Sequence, residues 1–139
     1  MVPSPLFAAR SQLLTAIDLF FNDADPGSVH ALAGNAREIL ESSCRLAAVE
    51  PVTELVLRDH PNKPKKDIYA ALNLYRNCFK HVGKTWEERR GQQAILNQFD
   101  DTKNEYLLMF VLRTTSGFEV HPRSLCRCFM LGFVRLMSN

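Results

Sequence analysis

Apolar residues in this chain recur every three or four positions, in separate segments broken by Asn, Asp, Pro and Gly, and nowhere alternate in the two-residue rhythm of a half-buried strand. That spacing gives each segment one apolar stripe of a helix, which is unstable alone in water and must pack against another. The chain is therefore expected to be all-α, an antiparallel bundle of about five helices forming one domain over residues 1–139. A hydrophobic content of 46% is enough for one continuous core.

Leu6, Phe7, Leu13, Leu14, Ile17, Phe20 and Phe21 mark a first helix. The run Asn22-Asp23-Ala24-Asp25-Pro26-Gly27 ends it, and Asp25 or Ser28 is placed to cap the next. A second helix carries Val29, Leu32, Ala33, Ala36, Ile39 and Leu40 and stops before Pro51. The connection with Pro51, Pro61 and Pro64 reads as exposed loop from Arg58 to Lys66. Ile68, Leu72, Tyr75, Phe79 and Val82 mark a third helix, with Gly83 as a left-handed stop. Residues 84–99 fit either an extended segment or a short helix. Asp100-Asp101-Thr102 starts a fourth helix through Leu107, Phe110, Val111 and Thr114 to Ser116-Gly117, and Pro122 opens a fifth with Leu125, Phe129, Phe133 and Leu136.

Several function classes have no signature here. The chain contains no glycine-rich phosphate loop, no serine nucleophile elbow and no carboxylate cluster at metal-ligand spacing, and no cofactor is implied. His121, Cys126 and Cys128 invite a zinc reading, but two cysteines two apart on a helix point to different sides, so core packing is preferred and no metal is expected. Cys44, Cys78, Cys126 and Cys128 are read as free, mostly buried thiols. The start Met-Val-Pro-Ser-Pro lacks the basic and apolar regions of a secretory signal, and no run is long enough to cross a bilayer, so a cytoplasmic protein with no membrane partner is expected.

Net charge is only +2, yet unevenly spread: from Arg58 to Arg90 nine Lys or Arg face four Asp or Glu, a balance of +5 that leaves −3 for the remainder. Within that basic stretch lies Arg76-Asn77-Cys78-Phe79-Lys80-His81, at the end of the third helix. It resembles the signature of HEPN domains (higher eukaryote and prokaryote nucleotide-binding), where an Arg, often followed by a polar residue, precedes a His by four to six positions near a helix end. The resemblance implies an all-α bundle and a metal-independent endoribonuclease or toxin-type domain, working as a homodimer in which two motifs face each other.

The chemistry fits those residue types. Attack by an RNA 2′-hydroxyl needs a group that moves protons near neutrality, and imidazole, with an ordinary pKa of about 6.5, is that group, which assigns the step to His81. A guanidinium offers paired donors to a phosphate gaining charge, the role of Arg76. Asn77 would orient His81 or hold a phosphate oxygen, while Lys80 and Lys84 attract the backbone. Residues five apart on a helix point roughly 140° apart, so Arg76 and His81 converge only if the helix frays at His81 or if the Arg comes from a second subunit. The alternative makes Arg76, Asn77, Lys80 and His81 the solvated face of a helix whose Tyr75, Phe79 and Val82 are core.

A second resemblance covers more of the chain. The run Asp25-Pro26-Gly27-Ser28-Val29-His30-Ala31-Leu32, followed by Asn77-Cys78-Phe79-Lys80-His81, is similar to a group of uncharacterised small bacterial proteins with an Asp-Pro-x-Ser-x-His-x-Leu run and an Asn-Phe-Phe-Lys-His run. That group implies no activity and does not require Arg at position 76; it draws His30 toward Asn77, Lys80 and His81 as a shared polar cluster. His30 reads either as a buried histidine satisfied by a neighbour or as the second member of an acid and base pair. Without catalysis, the basic face of Lys65, Lys66, Lys80, Lys84, Arg89 and Arg90 suits a helical module that binds a nucleotide, RNA or a protein partner.

Overall fold

A computed structural model describes residues 4–115 of the chain. It is an all-α bundle: the described residues hold six helices and no strand, namely α1 (Pro5–Phe21), α2 (Pro26–Leu46), α3 (Val52–Asp59), α4 (Lys65–Lys80), α5 (Trp86–Leu96) and α6 (Thr102–Thr115). The expected helix beginning at Pro122 lies outside the described residues. None of the described helices is long and apolar enough to cross a membrane.

Helix starts follow their capping residues. Ser4 Oγ accepts from the Phe7 N–H at 3.1 Å ahead of Pro5, and Asp25 Oδ2 accepts from both the N–H and hydroxyl of Ser28 at 2.8 and 2.6 Å ahead of Pro26. The Ser28 hydroxyl and N–H hold the Asp25 carboxyl below its ordinary range. The Asp-Pro-x-Ser run is thus a helix start. Both α1 and α2 end in a six-to-one closure, Ala24 N–H to Leu19 C=O at 3.0 Å and Val49 N–H to Cys44 C=O at 2.9 Å. These closures place Asp23 and Ala48 at φ of 50° and 56°, where glycine is usual.

Helix α2 is the centre of the bundle because two of its stripes are buried. Val29, Ala33, Ala36 and Leu40 join Ala9, Leu13, Ala16, Ile17 and Phe20 of α1 and Leu107, Leu108 and Val111 of α6 in the apolar core. A second stripe, His30, Gly34, Arg37 and Glu41, is buried too, and faces α4 and α3. Arg37 donates to Glu41 at 3.2 Å and to Asn73 Oδ1 of α4, while Thr53 of α3 donates its hydroxyl to Glu41. Arg45, one turn on, donates to Tyr69 Oη at 2.7 Å. The α2–α4 seam is therefore polar and charged, with a buried cation and carboxylate neutralising each other.

Val52–Asp59 is helical within what reads as proline-broken connection, and of the two readings of residues 84–99 the short helix holds, as α5. The helix bearing the motif ends at Lys80, so Val82 is not core but 75% exposed. Gly83 has no left-handed backbone; its lack of a side chain serves close approach, since a Cβ there would lie 2.7 Å from Glu88 Cβ and 2.9 Å from the Arg89 nitrogen.

Candidate functional site

The end of α4 and the start of α5 form a corner whose backbone is held by side chains of α5. Thr85 caps α5 by accepting from the Glu88 N–H at 3.1 Å, and Glu88 returns its carboxylate to the N–H groups of Thr85 and Lys84 at 3.3 and 2.6 Å. Gln92 spans the corner, donating to the His81 carbonyl at 2.8 Å and accepting from the Gly83 N–H at 2.9 Å. Arg89 Nε donates to the Gly83 carbonyl at 2.9 Å. A segment that would otherwise be a free loop is thereby tied at His81, Gly83, Lys84 and Thr85.

That corner displays the predicted cations. Lys80, His81, Lys84, Arg89 and Arg90 are exposed, and among the described residues none of them has a carboxylate within ion-pair distance. Glu87 and Glu88 lie in the same stretch, so Lys80 to Arg90 carries four cations against two acids, a balance of +2. Lys65 and Lys66 are at the other end of α4, roughly 20 Å away at 1.5 Å per residue, and Lys65 is already paired with Glu54 at 3.6 Å. The basic face inferred from sequence is thus divided, with Lys65 and Lys66 at one end of α4 and Lys80, Lys84, Arg89 and Arg90 together at the α4–α5 corner.

His81 is where the helix ends: its backbone is extended, with φ −121° and ψ 137°, and its N–H reaches the Asn77 carbonyl at 2.9 Å. The Asn77 side chain is exposed and makes no hydrogen bond to the imidazole. Arg76 points elsewhere. It is 6% exposed, donates from Nε to Asn35 Oδ1 at 3.1 Å and pairs through Nη1 with Glu38, both on α2. Gly34 makes the space for it, since a Cβ there would sit 2.6 Å from Arg76 Cδ. Within one chain the structure does not bring Arg76 and His81 together: the guanidinium is a strut between α4 and α2, and the imidazole faces solvent.

His30 is 4% exposed on the polar stripe of α2. Its Nδ1 lies 3.0 Å from Asn104 Oδ1 of α6, and the Asn104 amide is oriented by donating to the Pro26 carbonyl and to Asp101 Oδ1, each at 3.0 Å. Asn104 Oδ1 only accepts, so Nδ1 carries the proton. Burial, with a smaller push from the Arg37 and Arg76 charges, lowers the His30 pKa against the opposing bond to Asn104, and the ring stays neutral near pH 7. The rings of Phe99, Tyr75 and Phe79 surround it at 5.2, 6.0 and 6.1 Å. His30 therefore meets the inward side of α4, whereas Asn77, Lys80 and His81 are exposed, and no shared polar cluster forms among them.

Sequence reasoning missed Asn104, Phe99 and the pair Asn35 and Glu38. The Thr85-x-x-Glu88 spacing before α5 is a capping box that announces the helix, and Trp86, the only tryptophan, stands beside it. No known protein family, curated protein or solved structure matches the chain.

Proposed function

We propose that this helical module binds single-stranded RNA through the α4–α5 corner, with Lys80, Lys84 and Arg90 at the phosphates and His81 beside them. One observation carries the reading: these cations share a corner that side chains of α5 pin, and among the described residues no carboxylate lies within ion-pair distance of them. Unpaired cations on a fixed frame bind phosphates by releasing counterions, at little ordering cost to the protein. Arg76 and His30 then serve the scaffold, the first joining α2 to α4 and the second joining α2 to α6.

The HEPN-like ribonuclease is the second reading, favoured by an imidazole that stands exposed between two lysines. It requires a homodimer in which Arg76 of one protomer leaves Glu38 and approaches His81 of its partner. One experiment separates the two. Fluorescein-labelled single-stranded RNA is titrated in EDTA, anisotropy gives the affinity, and the same samples are run on a denaturing gel. Binding without cleavage, weakened by Lys80→Gln with Lys84→Gln, supports the binding module. Cleavage abolished by His81→Ala supports the nuclease, and RNA that neither binds nor breaks removes both.

A further inference from the structure

The corner carries one feature that phosphate binding leaves unused. Trp86 is 77% exposed, although an indole is among the most favourable side chains to bury. It is the first residue of α5, directly after the Thr85 cap, so the capping box fixes its backbone. The Arg89 guanidinium lies over its ring, 5.3 Å from the centroid, and is itself anchored to the Gly83 carbonyl. One face of the indole is therefore covered by a tethered cation, and the ring still exposes most of its surface. Residues 86, 89, 90 and 93 share one face of a helix, which places Arg90 and Gln93 beside the ring.

We propose that Trp86 is a stacking platform for an unpaired nucleobase, an inference that rests on the RNA-binding reading and deepens it by naming the side chain that meets the bases. An aromatic face accepts any base, because every base has a π-face, while the neighbouring cations follow the backbone. In a double helix the bases are already stacked and the ring would find none to receive, so pairing the RNA removes the contact. A protein partner of matching acidic and aromatic character would use the same patch without discriminating bases from bare phosphate, and that difference is what the test reads.

Because Trp86 is the sole tryptophan, its fluorescence reports on this site alone. The protein is titrated with a ten-nucleotide oligouridylate, with the same oligomer lacking its bases, and with inorganic polyphosphate, while anisotropy of a labelled oligouridylate gives affinity independently. The proposal expects the base-bearing oligomer to quench the emission and the other two to leave it nearly unchanged. Trp86→Ala should weaken oligouridylate binding about tenfold to a hundredfold, with Trp86→Phe recovering most of it and polyphosphate binding unaltered. Circular dichroism checks that Trp86→Ala keeps its helices. If oligouridylate binds with emission unchanged and with equal affinity to Trp86→Ala, stacking is overturned and the RNA-binding reading stands. If equal quenching is seen with the base-free oligomer, the ring senses phosphate and the platform is likewise overturned. Absence of any RNA binding overturns both.

Discussion

Replacing Arg76 distinguishes a residue that holds the protein together from one that touches RNA. Its stem of three methylenes is buried against Gly34, and at about 0.8 kcal/mol for each methylene its packing contributes about 2 kcal/mol. The bonds to Asn35 and Glu38 add about 1 kcal/mol, since Glu38 is half-exposed and regains water when its partner is removed. Arg76→Ala should then cost about 3 kcal/mol in urea unfolding, as a lower midpoint with the slope unchanged. Arg76→Met restores the stem and should cost about 1 kcal/mol. Gly34→Ala completes a cycle: in the native background its Cβ strikes the stem and destabilises, whereas combined with Arg76→Ala the clash is gone and the better helix former is neutral or stabilising by up to about 1 kcal/mol. RNA affinity of Arg76→Met should equal that of the native protein. A normally folded Arg76→Met that loses RNA affinity tenfold, or one as unstable as Arg76→Ala, would refute the role of Arg76 as a strut.

Three further outcomes follow from the same geometry. Ala48→Gly relieves a left-handed alanine at the end of α2 and should stabilise by about 1 kcal/mol, read as a higher thermal midpoint. Glu41→Ala leaves the buried Arg37 guanidinium without its carboxylate and should cost about 3–5 kcal/mol in denaturant, while Glu41→Ala with Arg37→Met should recover part of that. His30 is held below its ordinary pKa, so the unfolded chain binds the extra proton; stability is full above about pH 7 and falls as pH drops through 6.5, by at most about 1.4 kcal/mol per pH unit. In His30→Phe that slope between pH 7 and 5 should flatten, and an unchanged slope would assign it to another group.

The apolar half of the bundle was legible because Leu13, Ile17, Val29, Ala33 and Leu40 repeat with the period of a helix, and such stripes have one place to go. The polar half was not. His30, Gly34, Arg37 and Glu41 repeat with the same period, but charged side chains in a stripe look solvated, and only the facing Asn73 and Thr53 reveal that they are buried partners. The charge of Arg76 is plain in the sequence, yet its direction depends on Gly34, Asn35 and Glu38, some forty residues earlier. His81 was placed at the end of its helix by the motif, and it is there; that Asn77 holds it by a carbonyl rather than a side chain depends on backbone geometry. α3 was obscured by flanking prolines, and α5 by a surface so polar that none of its residues is buried, although its capping box was readable.

The most direct test of the account is the salt dependence of single-stranded RNA binding. With Lys80, Lys84 and Arg90 at three phosphates, the logarithm of the affinity should fall against the logarithm of salt concentration with a slope of about −2. Replacing all three by Gln should bring that slope close to zero while the unfolding midpoint stays unchanged. A slope that the triple replacement leaves intact would contradict the assignment of the α4–α5 corner as the RNA-binding surface.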